Sequence, residues 1–436
     1  MSRHGPRCAV LAWLVALALV ATPAAQGQAP APAWADPAKV LRVVFPVAET
    51  GFDPQATSDY YSANIERAIF DSLYHYDWLA RPYKLVPNTA AAMPEISADG
   101  RVWTIRVKPG IHFADDPVFK GAKRELTAQD YVYSWKRLLD PRMRAPFLWF
   151  LDGKLAGAEP VLAKAKQDGR LDYDAVIPGL RAVDRYTVRI ELVEPDYVLL
   201  GYISHAAMAA VAREVIEAHG DASGWAMANP VGTGPFRLKE WRRGQRIVLE
   251  ANPGFRDVRF PAAGEPGDAP MIARMKGRRL PQVGRVEVAI VEESNPQLLA
   301  FNAGEADFIN VPPELVGNVL DAGNALKPSY AKEGVRHARA AQPALAYTYF
   351  NMDDPVVGGY TPDKVALRRA MVMGFNTDEL IRVWYQGQAI RATQPIPPVV
   401  AGHSEGFAAR PPYDPESARK PLDSFGLDRA VRPRPD

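Results

Sequence analysis

The 436-residue sequence has a single cysteine, Cys8, so it holds no intrachain disulfide and no cysteine-built metal cage. Histidine is scarce and scattered: His4, His75, His112, His205, His219, His337 and His403 form no H-E-x-x-H pair. Neither G-x-S-x-G nor G-x-x-x-x-G-K-[ST] occurs, so a serine elbow and a phosphate-cradling loop have no sequence signal. The carboxylates follow no paired spacing and read as solvated surface, which ranks a secreted hydrolase last among the functional readings. Charge of one sign is also lacking. Lys plus Arg number 52 against 50 acidic residues, so nucleic acid is not an expected partner. The one long apolar run, Cys8 to Val20, is short for a bilayer span.

That run belongs to a three-part pattern. Arg3, His4 and Arg7 supply a basic start, and Ala21 to Ala25 small residues after the apolar stretch, which predicts a secretory signal over 1–25. An Ala-, Pro- and Gln-rich linker, disordered by composition, is predicted over 26–38. Cys8 precedes the apolar run, unlike a lipid-bearing cysteine, so the mature chain would carry no thiol and suits an oxidising compartment such as the periplasm. A hydrophobic content of 47% and 40 prolines indicate a soluble protein of two or three domains with many turns and strand ends.

The most informative stretch is NPVGTGPFRLKEWRRGQRIVLEANPGFRD, residues 229–257. Gly232 and Gly234 bracket Thr233 before Pro235, which predicts a tight turn with glycine at positive φ. Phe236, Leu238 and Glu240 alternate with Arg237, Lys239 and Trp241, and a second alternating run covers Arg246 to Ala251. Together they read as a β-hairpin. Pro235 stands where a helix would have to begin, so the Gly-Thr-Gly run is no dinucleotide fingerprint.

Other elements follow by periodicity. VLRVVFP from Val40 is a short strand, with the folded region starting near Lys39. Ser58 is the expected N-cap of a helix with Ile65, Ile69 and Leu73 on one face. Trp103, Ile105 and Val107 alternate with polar partners in a half-buried strand, and Thr127 with Asp130 forms a capping-box pattern ahead of Val132, Trp135, Leu138 and Leu139. Tyr186, Val188, Ile190 and Leu192 give another strand. From Arg285, VEVAIVEESNPQLLAFNAGEADFINVPP reads as strand, helix, glycine stop and strand.

The G-T-G-P-[FY] turn, the strand ending K-E-W and the I-V-L-E-x-N-P run resemble a signature of the extracytoplasmic solute-binding proteins of family 5, the peptide, dipeptide and nickel class that serves ABC importers. WTIRV, TAQDYVYSW, AYTYFN, DKVALRRAMVMGFNTDELI and YDPESARKPLDSFGL resemble further family segments in order, from about Val40 to Leu427. The resemblance implies an α/β, two-lobed periplasmic-binding-protein fold of type II, large cluster. Lobe 1 would span 39–285 with an extra subdomain about 73–188, and a partial lobe 2 would span 286–427, ahead of an unstructured tail at 428–436. It implies capture of a peptide-like solute, docking on ABC permease subunits, a monomer, no cofactor and no catalysis.

Carried over residue by residue, Ser58, Asp59, Tyr60 and Tyr61 in the loop and helix start, Phe147 and Trp149 in APFLWF, and Tyr347 and Asn351 in AYTYFN are the expected ligand contacts. Core packing is the competing role for Phe147 and Trp149; strand pairing and helix capping are the competing roles for Tyr347 and Asn351. Arg368 and Arg369 are expected to face solvent. Two features depart from the family pattern: a long basic loop at 114–126, and the replacement of later lobe-2 segments by DRAVRPRPD. The latter predicts a truncated member with impaired capture. A carrier of haem, a nickel chelate or another non-peptide solute, with His205 of YISHAAM as a ligand, is the alternative on the same fold.

Overall fold

The computed structural model describes residues 34–262, 264–398, 400–407 and 412–423. The predicted signal, most of the linker and the tail lie outside them. Chain order begins earlier than Lys39: the Trp34 ring carries the Arg279 guanidinium 3.3 Å above it, and strand β1 starts at Asp36 (Asp36–Phe45).

Helix α1 (Tyr60–Ile69) follows a loop. Strands β2 (Glu95–Ile96), β3 (Val102–Arg106), β4 (Leu180–Asp184) and β5 (Thr187–Glu191) form one antiparallel sheet in the order β2-β3-β5-β4. Helix α2 (Ala128–Leu139) runs between β3 and β4 in sequence. The other main sheet takes β6 (Phe236–Arg242), β7 (Arg246–Ala251) and β8 (Val283–Ile290) in the order β1-β8-β7-β6, with β1 and β8 parallel. Helices α3 (Ser294–Asn302), α4 (Pro362–Gly374), α5 (Thr377–Val383) and α6 (Pro415–Asp423) complete the elements used below.

The β6–β7 hairpin forms as predicted, with two differences. A bulge between Leu238 and Glu240 shifts the register, so Trp241 joins Phe236 and Leu238 against the core instead of facing away from them. In β7, Ile247, Val248 and Leu249 are all buried rather than alternating, because an inner strand is covered on both faces.

The Gly-Thr-Gly turn corrects the sequence argument too. Neither Gly232 nor Gly234 adopts positive φ. Both are needed for close approach: a Cβ at Gly232 would lie 2.1 Å from the Ile69 carbonyl oxygen, and Gly234 donates its N–H to that same oxygen at 2.8 Å. The turn therefore seats on the end of α1. Thr233 Oγ1 donates to Asp71 Oδ2 at 2.8 Å, and Arg256 bonds both Asp71 and Asn88.

Strand β8 sits between β1 and β7, so Arg285 falls inside an inner strand of the β1-β8-β7-β6 sheet. The helix and glycine stop follow as predicted, with α3 and a positive φ at Gly304; the last predicted strand is reduced to a single parallel bridge between Phe308 and Val43.

Helix α2 lies where the two main cores meet. Its Tyr131, Val132, Trp135, Leu138 and Leu139 join the core of the β2–β5 sheet, while Tyr133 joins the core under the β1–β8 sheet. Only Gln129 of α2 is exposed. Its charges are consequently buried and each is matched. Arg137 pairs with Asp53, Lys136 Nζ donates to the carbonyls of Tyr173 and Ala175, and Asp130 accepts from Arg124 and from the Thr127 N–H at 2.7 Å, one arm of the predicted capping box. Arg124 belongs to the 114–126 loop and also reaches Glu214, so this loop clamps the start of α2 to the helix at Arg213–His219.

Past residue 291 the main apolar cluster among the described residues is small: Leu298, Leu315, Val316, Val319 and Leu320 with a few partly buried neighbours. Helices α4 and α5 cover most of the DKVALRRAMVMGFNTDELI segment; α4 buries Leu367 and Ala370, and Asn376 caps α5 through the Glu379 N–H. Arg369 is exposed, but Arg368 is half-buried and donates to the Val357 carbonyl rather than facing solvent.

Candidate functional site

The loop before α1 is held from both sides. Asp53 accepts from Arg137 Nη2 at 2.6 Å and from the Ala226 N–H at 2.8 Å, while Gln55 Nε2 donates to the carbonyls of Ala207 and Ala209. This fixes where α1 begins. The N-cap is Asp59, one residue after the predicted Ser58: its Oδ1 accepts from the Ser62 N–H at 2.7 Å, and Thr50 Oγ1 donates to its Oδ2 at 2.6 Å. A carboxylate caps better than a hydroxyl here because the helix dipole adds to the hydrogen bonds. Burial alone would raise the Asp59 pKa, but the hydrogen bonds from Ser62 and Thr50 outweigh it and hold the group below the ordinary aspartate range. Ser58 itself is exposed.

Ser62, Ile65, Glu66 and Ile69 form the buried face of α1. Leu73 is buried but lies past the helix end, so it is not part of that face. Tyr61 packs its ring 5.0 Å from Phe45, while Tyr60 is 64% exposed and meets Tyr61 edge-on at 5.3 Å. Of the pair, Tyr60 is the more exposed.

Two acids at this end carry no sequence signal. Glu49, at the exit of β1, is buried: Oε1 accepts from Trp241 Nε1 at 2.5 Å and from the Gly244 N–H at 3.0 Å, and Oε2 has no partner among the described residues. Glu66 accepts from the Thr57 hydroxyl. Burial pushes its carboxyl up to about 8, with the nearby charges of Asp53 and Asp59 adding to the rise.

A second aromatic group gathers around 147–150. Phe150 is buried and stacks on Tyr202 at 4.7 Å; Phe147 stacks on Phe150 at 5.1 Å and lies 4.5 Å from the His205 ring. Phe147 thus packs against the core, as its structural alternative predicts, and the sequence did not place His205 beside it. Trp149 is 54% exposed and meets Phe150 and Tyr202 edge-on, so it covers the cluster from outside. His205 Nδ1 accepts from the Ala207 N–H at 3.1 Å. Burial pushes its pKa down to about 4, and the charge of Arg67 acts in the same direction. Ser72 Oγ donates to the Ser204 carbonyl at 3.0 Å, tying this segment to the end of α1. The described residues contain no group of three or more His, Cys, Asp or Glu side chains placed to hold a metal ion.

Tyr347 and Asn351 make no hydrogen bond or ring contact with either group among the described residues. Residues 336–350 form no strand, so Tyr347 has no strand pairing; it is 74% exposed with its ring 6.4 Å from Tyr349. Asn351 caps a turn instead of a helix, its Oδ1 accepting from the Asp353 N–H at 3.1 Å.

The α/β arrangement of sheets and helices is shared with periplasmic peptide-binding proteins of known structure. The murein tripeptide binding protein MppA of Escherichia coli superposes with a TM-score of 0.65 at 19% identity, covering 91% of this chain and 68% of its own. DppA from Helicobacter pylori, solved in complex with the peptide STSA, gives 0.63 at 20% identity, covering 89% and 66%. The class is therefore the two-lobed periplasmic-binding-protein fold. Within that class, the model of the bacterial extracellular solute-binding proteins, family 5 middle, matches residues 84–431, and the chain belongs to this family. Among curated relatives, Di/tripeptide-binding protein 2 of Pseudomonas aeruginosa is 27% identical over 97% of this chain and 68% of its own length. The glutathione-binding protein GsiB of Pectobacterium atrosepticum is 25% identical over 95% and 65%. This chain thus spans about two thirds of the length of the relatives it matches.

Proposed function

We propose that this protein is the extracytoplasmic solute-binding component of an ABC importer, capturing a peptide-like solute between two lobes and presenting it to the permease. The family match over 84–431 carries the reading, and the names of the relatives, which bind di- and tripeptides or glutathione, direct it toward short peptides. The lobe division near Arg285, the periplasmic location after signal removal, the monomeric state and the roles of Ser58, Asp59, Tyr60, Tyr61, Phe147, Trp149, Tyr347 and Asn351 are parts of this proposal.

The work is mechanical. Closure of one lobe on the other buries the solute, backbone hydrogen bonds of strand type hold an extended peptide, and hydrated pockets accept varied side chains. No covalent step is required. The exposed Tyr60 beside an ionised Asp59 suits an extended chain with a free amino group.

Thermal unfolding with a library of defined di- to pentapeptides tests the reading. A binding peptide at one hundred times its dissociation constant adds about 2.7 kcal/mol of stability by mass action, and the melting temperature rises accordingly. Such a rise also removes the expectation of impaired capture. No shift with any peptide, alongside a shift with haem or a nickel chelate, overturns the peptide reading. Incubated peptides are expected to be recovered uncleaved.

A further inference from the structure

Past the end of α1, Tyr74–Tyr76 pairs antiparallel with Leu85–Pro87, and the Asp77 N–H closes the loop between them on the Lys84 carbonyl at 2.8 Å. Tyr76, Trp78 and Tyr83 are 54%, 48% and 44% exposed there. Their positions are held. Tyr76 meets Tyr83 edge-on at 5.8 Å, and Trp78 lies 5.7 Å from the His75 ring and stacks on Phe260 at 6.2 Å. Leu79 is buried and Arg81 pairs with Asp268 at 2.9 Å, so the loop is pinned to residues 258–280. That segment is a second ribbon, Val258–Arg259 with Arg279–Leu280, extended by the Phe260 N–H donating to the Arg278 carbonyl at 2.9 Å. The polar ends of the rings are unused: neither tyrosine hydroxyl nor Trp78 Nε1 makes a hydrogen bond among the described residues. The nearby acids are occupied. Asp77 Oδ1 accepts from the Leu79 and Ala80 N–H groups, Asp257 pairs with Arg259, and Asp268 with Arg81. Lys84 and Lys276 are exposed with no ion pair among the described residues, and the Arg278 guanidinium reaches only the Gln282 side chain, at 3.5 Å. The surplus charge around the exposed rings is therefore positive.

We propose that this hairpin end docks on the surface of an anionic bilayer. Lys84, Lys276 and Arg278 supply the attraction to lipid phosphates, and Tyr76, Trp78 and Tyr83 seat at the boundary between headgroups and acyl chains. An amphipathic ring there leaves its apolar body in lipid and its O–H or N–H in water. Tyrosine and tryptophan beside lysine is the composition of such a boundary, whereas the buried centre of a protein interface is depleted of lysine. No described helix is long and apolar enough to cross a membrane, and a few rings and cations give reversible attachment rather than anchoring. The inference does not rest on solute capture; it adds a contact with the membrane in which a permease sits.

Co-sedimentation of the purified protein with vesicles of phosphatidylcholine, alone or with about 30 mol% phosphatidylglycerol, tests this without any peptide present. The wild type is expected to bind the anionic vesicles about tenfold more tightly than the neutral ones, and to be released as salt rises from about 0.05 to about 0.5 M. Reversing two charges, Lys84→Glu with Lys276→Glu, should weaken anionic binding by about tenfold or more, and Tyr83→Ser should weaken it severalfold at an unchanged melting temperature. With brominated lipid, part of the tryptophan emission should be quenched, and Trp78→Phe, which keeps a ring against Phe260, should remove that quenching. Should the double reversal unfold at lower temperature, Lys84→Gln decides, because that side chain has no ion pair to lose. Equal binding to neutral and anionic vesicles, binding to neither, or variants that bind like the wild type overturn the docking site. Each of these results leaves the solute-binding reading standing, since the assay holds no peptide.

Discussion

The Arg137 side chain is 0% exposed and Asp53 1%, and they form an ion pair at 2.6 Å that joins α2 to the loop before α1. Such a pair adds little relative to an apolar replacement of both partners, but losing one partner strands a buried charge. Arg137→Met is expected to destabilise the protein by about 3–5 kcal/mol in urea unfolding, and adding Asp53→Asn should restore part of the loss. Glu66 provides a titration test. Its carboxyl is raised from 4.5 to about 8 by burial, so between these values the folded state holds a proton that the unfolded state has released. Stability from this group is therefore full below about pH 4.5 and declines as pH rises through about 8. Denaturation across pH 5 to 9 should show this decline in the wild type, and Glu66→Gln should flatten it.

At the scale of elements, the Gly-Thr-Gly turn and α1 act as one unit, because the turn backbone lies against the last residue of the helix. Gly232→Ala would place a methyl 2.1 Å from the Ile69 oxygen, backbone against backbone, with no flexible side chain to yield. It is expected to cost more than about 3 kcal/mol. Gly317, inside the short helix Val316–Val319, offers the contrast: nothing lies within 4 Å of an added Cβ there. Gly317→Ala should stabilise by about 0.5–1 kcal/mol, and parallel melting curves of the two variants check both expectations.

Across the whole molecule, cohesion is uneven. The two large cores meet at α2, whereas the region after residue 291 rests on a small apolar cluster, and no backbone N–H from 336 to 350 makes a hydrogen bond among the described residues. Amide exchange follows local opening, so β1, β7, β8 and α2 should exchange slowest while 336–350 exchange at nearly unprotected rates. A bound peptide that engages Tyr347 and Asn351 should slow exchange in that segment. If exchange there is unchanged at saturating peptide, these two residues are not contacts.

Much of this was legible in the sequence because it depends on near neighbours in the chain. The alternation around Trp103 and Val188 and the Thr127–Asp130 cap depend on residues a few positions apart, and they appear where the pattern places them. The family segments were readable for the same reason. Long-range approach decided the rest. The N-cap moved to Asp59 because Thr50 and the pinned loop deliver the chain there; Trp241 changed faces through a bulge paired across to β7; and Gly232 is glycine because Ile69, far back in the chain, lies against it. Likewise, the neighbours of His205, the unmatched oxygen of Glu49 and the raised pKa of Glu66 arise from burial among segments distant in sequence. Local hydrogen bonding and periodicity are written in short stretches, while desolvation and close packing exist only once those stretches are brought together.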